Sequence, residues 1–511
     1  MTDSTRPKRV TPRELNVMLH DGAELALLDV REAGEFGESH LLFATPLPYS
    51  RLERDVGALV PRKSARVVLC DGGEPAVAAL AARRLEAIGY GDVAILDGGT
   101  RGWAATGYTL FAGVNVPSKL FGELVEHEYA TPRVTVFDLA RMKEAQEDFV
   151  IVDGRPYAEY HKMNIPGGIC CPNAELPYRI REIVKNPATK IIVNCAGRTR
   201  SIMGAQTLIN FGIENPVYAL ENGTQGWVLA DFELERGASR RYPERVSAAE
   251  LPRLQSQAAD LMKRHGVRVA AAAEVRKWLS DAERTTYLID VRTPEEYAAG
   301  SLPGAVHAPG GQLVQATDQW VGMRNARIVL VDAEGVRAPV VASWLKQLGC
   351  DVCVLQDGIR ADVSAPTPET PPLPLLPLVA AAEVKRRLEA GEITLFDLRE
   401  SMLFRQRHIP GSRWSIRSRL ARDAQGAKGT VVLIADDPAI ARLAAIDLIE
   451  SGTKEVQMLD GGCAAWIAAG YPTQSSPQVP ADGECIDYLF FVHDRHAGNR
   501  DAMRQYLAWE T

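Results

Sequence analysis

Short apolar runs recur along the chain, and each is bounded by polar or turn-forming residues. Four of them end in aspartate, at Asp29, Asp153, Asp290 and Asp397. A run of this length between turn residues is typical of a buried strand. Each aspartate is followed two positions later by arginine, and the intervals of 124, 137 and 107 residues between the aspartates are those of whole domains. The pattern therefore predicts a domain that is repeated four times.

A second apolar run follows each of these aspartates at a nearly fixed distance. The second runs end at Asp71, Cys195, Asp332 and Ala435, which lie 42, 42, 42 and 38 residues after the first landmark. A helical pattern comes next, as in SIMGAQTLINFG (201–212), and then another strand and turn, as in YALENGTQGW (218–227). Because strands alternate with helices, each unit is predicted to be an α/β domain with a mainly parallel sheet flanked by helices.

The repeats set the predicted domain organisation. We expect four α/β domains, the first to the fourth, over residues 5–113, 120–240, 260–363 and 376–473, followed by a C-terminal tail over 474–511. The segment 364–377 holds six prolines and is predicted to be an extended spacer. The linkers 114–132 and 241–267 have partly helical patterns. In the tail, NRDAMRQYLAWE (499–510) predicts an amphipathic helix that packs on a domain or on a partner.

Composition narrows the class of protein. Hydrophobic residues make up 46% and charged residues 24%, as in ordinary globular proteins. A net charge of −7 argues against non-specific nucleic-acid binding. No apolar run approaches the ~18 residues of a membrane span, and the start of the chain lacks the apolar core of a secretory signal. We therefore expect a cytoplasmic protein with neither membrane nor nucleic-acid partners.

The cysteines and histidines do not predict a metal site. Eight cysteines in 511 residues are too sparse for a disulfide scaffold. No cysteine and histidine cluster has zinc-ligand spacing. For His493, Asp494 and His496 in the tail, the sequence offers no further cysteine or acidic ligand at a matching spacing. The sequence therefore implies no metal or organic cofactor.

The stretch NCAGRTRS (194–201) carries the candidate chemistry. Cys195 stands where a strand passes into a helix, so that backbone N–H groups converge beside the positive end of the helix dipole. Arg198 and Arg200 add full positive charges, and Gly197 lets the backbone bend close to the sulfur. These features favour the thiolate, which is the nucleophilic form of cysteine.

The repeats contain Asp-x-Arg, Glu-Tyr/Phe, Ile-Pro-Gly, a strand ending in Cys and Gly-x-x-x-Trp. With these motifs taken together, the chain resembles the rhodanese family of sulfurtransferases. The resemblance covers about 430 of the 511 residues as four tandem domains. It implies that Cys195 accepts a sulfane sulfur and becomes a persulfide. It also implies that the other three domains are inactive, because Asp71, Asp332 and Ala435 stand in the place of the cysteine.

The resemblance also assigns roles around Cys195. Arg200, with Arg198 assisting, would bind an anionic donor. The loop that would cradle the sulfur consists of Ala196, Gly197, Arg198, Thr199, Arg200 and Ser201. The turn after the last core strand would lie near this loop, so its members are candidates for lining the pocket: Glu221, Asn222 and Thr224.

Two further positions are predicted to be architectural. Asp153 and Arg155 recur in the domains without the cysteine, so we expect a structural pair rather than a catalytic one. Asn164 stands where the first and fourth domains have His40 and His408, at a position that in the family helps to build the fold.

The implied activity is sulfur transfer from thiosulfate to a thiophilic acceptor, cyanide or a thiol, with ping-pong kinetics and sulfite as the first product. The basic loop around Cys195 favours thiosulfate as the donor. The alternative donors are 3-mercaptopyruvate and a low-molecular-weight persulfide. The sequence does not identify the physiological acceptor, including any protein acceptor. Cysteine phosphatases place arginine six residues after cysteine, whereas Ser201 stands there in this chain. An alternative of another class is a non-catalytic scaffold that binds sulfur-handling partners.

Overall fold

A computed structural model describes residues 7–73, 77–494 and 498–510. The expected start of the first domain at residue 5 and the tail residue His496 lie outside the described residues.

The described residues of the first domain form five strands, five α-helices and one short 3-10 helix (Tyr49–Arg51). The strands are β1 (Lys8–Val10), β2 (Ala26–Asp29), β3 (Thr45–Pro46), β4 (Arg66–Cys70) and β5 (Asp92–Leu96). The helices are α1 (Pro12–His20), α2 (Ala33–Glu38), α3 (Leu52–Leu59), α4 (Val77–Ala87) and α5 (Gly99–Ala105). Thr11 fixes the start of α1 through a capping box with Glu14, which satisfies two N–H groups at the helix start.

The second domain repeats this order after a leading helix, α6 (Val116–Tyr129). Its strands are β6 (Arg133–Val134), β7 (Phe149–Asp153), β8 (Ile169–Cys170), β9 (Lys190–Asn194) and β10 (Val217–Leu220). Its helices are α7 (Val136–Glu144), α8 (Tyr157–Lys162), α9 (Leu176–Ile183), α10 (Thr199–Phe211) and α11 (Gly223–Leu229).

The third domain follows a connecting helix, α12 (Leu251–His265). Its strands are β11 (Arg268–Ala270), β12 (Thr286–Asp290), β13 (Val306–His307), β14 (Arg327–Val331) and β15 (Asp351–Leu355). Its helices are α13 (Ala272–Leu279), α14 (Pro294–Ala298), α15 (Gly310–Gln315) and α16 (Arg337–Gln347).

The fourth domain and the tail complete the described chain. The strands are β16 (Leu378–Val379), β17 (Ile393–Asp397), β18 (Arg413–Trp414), β19 (Thr430–Ile434) and β20 (Val456–Leu459). The helices are α17 (Ala381–Glu389), α18 (Ser401–Gln406), α19 (Arg417–Asp423), α20 (Pro438–Glu450) and α21 (Gly462–Ala468). The tail adds α22 (Phe490–His493) and α23 (Arg500–Glu510).

All four sheets have the same topology, which confirms the predicted α/β class. Each is a five-stranded parallel sheet with its strands in the order first, fifth, fourth, second, third. In the second domain β9 is therefore the central strand, paired in parallel with β7 on one side and β10 on the other. Its apolar residues are buried on both faces, as expected for a parallel sheet covered by helices.

The chain divides into two compact units, which are described separately. One unit holds the first and fourth domains. The other holds the second and third domains together with the C-terminal segment from Phe491. In this second unit, α10 of the second domain, the connecting helix α12 and α16 of the third domain share one hydrophobic core, in which Leu208, Leu254 and Trp344 are buried.

Within the described residues, no helix combines the length and the apolar character that crossing a bilayer requires.

Candidate active site

Cys195 lies at the carboxyl end of the central strand of the second domain. It directly follows β9, and α10 begins four residues later at Thr199. Its side chain is buried, with 1% of the residue exposed. None of the eight cysteines, all of which are described, forms a disulfide. The cysteine thus occupies the strand-to-helix loop that the sequence predicts.

The turn that follows β10 fixes the backbone of this loop. The Thr224 N–H donates to the Cys195 carbonyl at 2.9 Å, and the Gln225 N–H donates to the Ala196 carbonyl at 3.1 Å. The Thr224 hydroxyl adds a bond to the Ala196 carbonyl at 3.3 Å. Gly223 makes this approach possible, because it has φ 49° and a Cβ there would lie 2.2 Å from the Cys195 carbonyl oxygen.

The other predicted pocket residues of this turn are only half-buried. Asn222 precedes α11 with φ 61° and its carbonyl accepts the Gly226 N–H at 2.7 Å. The Glu221 N–H donates to the Val134 carbonyl at 3.0 Å, and this bond ties the turn to β6. The turn therefore contacts the loop through Thr224, while a substrate contact by Glu221 or Asn222 stays a prediction.

Ala196, Gly197, Thr199 and Ser201 are all buried in the loop or at the start of α10. The Ser201 hydroxyl donates to the Arg198 carbonyl at 2.7 Å and lies 3.0 Å from the Leu220 carbonyl. These contacts hold the helix start in place. Among the described residues the Thr199 hydroxyl oxygen has no hydrogen-bond partner.

Arg200 is held by a carboxylate of α8. Its guanidinium forms two parallel hydrogen bonds to Glu159, at 2.8 and 2.9 Å, and only 11% of its side chain is exposed. Burial alone would lower the pKa of the Arg200 guanidinium, but the negative charge and hydrogen bonds of Glu159 and the charge of Cys195 raise it overall. Arg200 is therefore positively charged, five residues after Cys195 at the start of α10.

Arg198 is held by two carboxylates of α6. Its Nε donates to Glu123 at 2.6 Å, and its Nη2 donates to both Glu123 and Glu126. Burial alone would lower the pKa of the Arg198 guanidinium, but the bond to Glu123 and the charges of Glu123, Glu126 and Glu221 raise it. Both predicted donor-binding arginines are thus ion-paired within the chain, so an anionic donor must compete with these carboxylates.

The helix α6, which the sequence placed in a linker, is a wall of the site. It supplies the two partners of Arg198, and a Cβ at Gly122 would lie 2.6 Å from Cγ2 of Thr199. Glycine in the middle of a helix is costly, so its presence in α6 is a signal of close packing that the sequence analysis missed. Lys119, one turn earlier, donates to the Tyr506 hydroxyl of α23 at 2.8 Å.

The equivalent position in the first and third domains carries a carboxylate that is already satisfied. Asp71 accepts the N–H groups of Gly73 at 2.7 Å and Ala78 at 2.9 Å. Asp332 accepts three, from Gly335, Val336 and Ala338, at 2.9 to 3.0 Å. In both domains the side-chain anion occupies the converging amides at the helix start.

In the fourth domain the equivalent position carries an alanine, Ala435. Ala435 brings no anion, and Asp437, two residues later, caps α20 by accepting the Ala439 N–H at 2.9 Å. The three domains without the cysteine therefore have no thiol at this position.

Asp153, Arg155 and Asn164, which were predicted to be architectural, all make contacts within the fold. Arg155 forms two hydrogen bonds to Asp153, at 2.8 and 2.7 Å, and both side chains are buried. The Asn164 amide lies 3.4 Å from the carbonyl four residues earlier, and His40 and His408 make the corresponding contact at 3.0 and 2.7 Å. Asn164 thus replaces histidine in a structural contact.

Four segments of the chain match the family of rhodanese-like domains: residues 11–106, 136–230, 271–365 and 380–469. Over nearly its whole length the chain is similar to a crystal structure titled thiosulfate sulfurtransferase from Pseudomonas aeruginosa. The identity is 42%, the match covers 98% of this chain and 96% of that one, and the TM-score is 0.91.

Two curated relatives from Mycobacterium tuberculosis match shorter stretches. A probable adenylyltransferase/sulfurtransferase, MoeZ, is 36% identical over 96 residues, 19% of this chain, and the chain spans only 24% of that protein's length. The HTH-type transcriptional regulator Rv0324 is 26% identical over 213 residues, 40% of this chain and 92% of that protein. Because the four family matches together cover well over half of its length, the chain belongs to the rhodanese-like domain family.

Proposed function

We propose that this protein is a thiosulfate sulfurtransferase in which Cys195 alone carries the sulfur. The observation that carries the proposal is the position of Cys195, buried in the loop between the central strand β9 and α10, the helix whose first turn carries Arg200. The name of the Pseudomonas aeruginosa neighbour supports thiosulfate as the donor. A cytoplasmic location and the acceptor stay predictions from the sequence.

In the first half-reaction the Cys195 thiolate attacks the outer sulfur of thiosulfate. A cysteine–sulfur bond forms, the sulfur–sulfur bond of thiosulfate breaks, and sulfite leaves with the electron pair. The positive charge of Arg200 favours the thiolate before the attack and the negatively charged persulfide after it. No proton needs to move when the cysteine is already ionised.

In the second half-reaction a nucleophilic acceptor, cyanide or a thiolate, attacks the outer sulfur of the persulfide. The new bond joins sulfur to the acceptor, and the persulfide sulfur–sulfur bond breaks, so that its electron pair returns to Cys195. Because the two substrates act in separate steps on one covalent intermediate, the kinetics are ping-pong.

The arginines act in a site that also contains carboxylates. Three carboxylates pair with these arginines: Glu123 and Glu126 with Arg198, and Glu159 with Arg200. Thiosulfate would therefore bind by sharing Arg200 with Glu159 or by displacing it. The competition would weaken donor binding and would help sulfite to leave.

The test is the intact mass of the protein after incubation with thiosulfate. A gain of about 32 mass units, one sulfur atom, that cyanide removes and that Cys195→Ser abolishes would support the proposal. Cys350→Ser is the matched control, because Cys350 is half-buried in the third domain and should leave the gain unchanged.

Other outcomes would change the proposal in defined ways. A gain from 3-mercaptopyruvate or glutathione persulfide, but not from thiosulfate, would keep the Cys195 persulfide and replace the donor. No gain from any of the three donors would overturn the enzyme and favour a scaffold for sulfur-handling partners.

A further inference from the structure

The C-terminal helix α23 is attached at its start to the end of α11. Asn499 caps the helix by accepting the N–H groups of Asp501 and Ala502, both at 3.1 Å. Arg500 then donates to Asp231 at 2.7 Å and to the Leu229 carbonyl, the last residue of α11, at 2.9 Å. The side chains of Ala502, Met503 and Tyr506 are buried, so α23 packs on the domain.

One and a half turns later the same helix is attached to α6. Lys119 donates to the Tyr506 hydroxyl at 2.8 Å, and its ammonium lies 4.8 Å from the centroid of the Trp509 ring. Trp509 in turn packs against Phe491 of α22, with ring centroids 6.1 Å apart. Lys119 is itself buried, so this contact is an interior one.

Both attachment points belong to elements that border the Cys195 loop. The start of α11 binds the Cys195 carbonyl through Thr224, and α6 binds Arg198. Six residues separate Arg500 from Tyr506, which is about 9 Å along a helix. The helix α23 therefore bridges the two walls of the site.

Tyr506 also contributes to the electrostatic environment of Arg200. The Arg200 guanidinium interacts electrostatically with both the Cys195 sulfur and the Tyr506 hydroxyl. Tyr506 therefore lies within electrostatic range of Arg200, on the helix that contacts both α6 and the end of α11.

We propose that α23 is a size-selecting cover of Cys195: while it is docked between α6 and α11, small anions and low-mass thiols reach the sulfur and the cysteines of folded proteins do not. The inference rests on the proposed function for its acceptors, whereas access to the sulfur can be measured without any turnover. The described contacts of α23 include the buried Lys119–Tyr506 bond, the packing of Trp509 on Phe491 and the exposed Arg500–Asp231 ion pair. Local opening of this one helix costs less than unfolding of the whole domain.

The test compares alkylation of Cys195 by reagents of two sizes in the full chain. Iodoacetamide is the small reagent and a maleimide on a long polyethylene-glycol chain is the bulky one, with the Cys195 peptide quantified by mass spectrometry. The double substitution Lys119→Met, Tyr506→Ala removes the buried contact. Arg504→Ala is the matched control, because its exposed side chain pairs only with Asp501 of the same helix in the described structure.

We expect the double variant to react with the bulky maleimide at least about tenfold faster than the unaltered protein, because a buried hydrogen bond to a charged group is lost. Iodoacetamide should change by less than about threefold, and Arg504→Ala should change neither rate. Equal acceleration of both reagents, or none with the bulky reagent, would overturn size selection.

A milder variant and a second readout guard against a folding defect. Arg500→Ala removes only the exposed attachment and should shift the bulky rate in the same direction by a smaller factor. Hydrogen exchange of the α23 amides should rise in both variants without a change in β9. Failure of Cys195 to form any persulfide would reject the proposed function alone. An unaltered rate of alkylation by the bulky maleimide, together with faster hydrogen exchange of the α23 amides, would reject only the role of α23 as a cover.

Discussion

In the second domain the central strand ends at Cys195, and in the third it ends at Asp332. Five residues later both loops carry an arginine, Arg200 in one and Arg337 in the other. Each arginine binds a glutamate at the same position of the short helix that follows the second strand of its domain, Glu159 in α8 and Glu296 in α14. The arginine and its carboxylate partner therefore belong to the shared plan of these two loops, with or without a nucleophile.

The two loops differ in what fills them. The Asp332 carboxylate takes three N–H groups of its own loop, whereas the second domain places a sulfur there. Arg337 is fully buried among Glu175, Glu296 and Glu334, so its charge is satisfied inside the protein. Arg200 has Glu159 as its ion-pair partner among the described residues, and 36% of that glutamate's side chain is exposed.

This comparison teaches that an arginine five residues after the strand is not by itself evidence of catalysis. In the third domain the same arginine joins two domains of the unit, because Glu175 belongs to α9's N-terminus in the second domain. The loop of the second domain differs in having a thiol in place of the carboxylate and an arginine whose glutamate partner is partly exposed. In the proposed function, Arg200 would exchange this glutamate for the anionic donor.

The largest effect is expected when Cys195 of the second domain is replaced by aspartate, the residue that the third domain has at the equivalent position, Asp332. Cys195→Asp should lower sulfur transfer at least about a thousandfold, because no covalent intermediate can form. The melting temperature should stay within a few degrees, since the new carboxylate can accept the amides that Asp332 accepts in its own loop. Thiocyanate formation and differential scanning calorimetry are the measurements, and a collapse of the fold would show that the two cradles are not equivalent.

The second test removes each arginine in turn. Arg337→Ala should destabilise the protein by about 3–5 kcal/mol, because it removes a buried cation that pairs with the buried carboxylates of Glu175 and Glu334. Arg200→Ala should cost only about 1–2 kcal/mol, because Glu159 can become hydrated.

The losses of activity in the two arginine variants should follow the opposite order to their losses of stability. Arg200→Ala should lower kcat/KM for thiosulfate by about tenfold to a hundredfold through loss of a charged hydrogen-bond donor. Correctly folded Arg337→Ala, assayed well below its melting temperature, should keep most of its activity. Equal losses in the two variants would mean that Arg200, too, serves only the fold.

A smaller effect is expected from the glutamate partners. Glu159→Gln should weaken the hold on Arg200 and lower the KM for thiosulfate about fivefold, the equivalent of an ion pair of about 1 kcal/mol. Glu296→Gln is the matched control, which should lower the melting temperature and leave KM unchanged. A higher KM in Glu159→Gln would show instead that the glutamate orients Arg200 for the donor.

The repeated strands, the loop and Cys195 could be predicted from the sequence because they depend on local patterns. Alternating apolar runs specify a parallel sheet, and a strand that passes into a helix places its last residue at the helix start. The neutralising partners could not be predicted. Glu123 and Glu159 lie 75 and 41 residues from their arginines, and only the packing of α6 and α8 brings them together.

The tail illustrates the same limit. An amphipathic pattern predicted the helix α23, but it gave no hint of which domain the helix would cover. Tyr506 meets Lys119 across 387 residues of sequence. Contacts of this kind depend on the assembled unit, so sequence patterns alone do not reveal them.

The smallest expected effect concerns Asn164, which stands where the first and fourth domains have a histidine. In the first and fourth domains His40 and His408 stack on the aromatic ring four residues earlier, with centroids 4.0 and 3.9 Å apart. Tyr160 occupies that place before Asn164, so Asn164→His could stack in the same way and donate to the same carbonyl. Activity should stay within about twofold and stability within about 1 kcal/mol, because the contact builds the fold and touches no reacting atom. Thiocyanate assays and thermal melts would check both, and a change in activity above tenfold with an intact fold would mean that this position reaches the sulfur site, which would set the second domain apart by more than its cysteine.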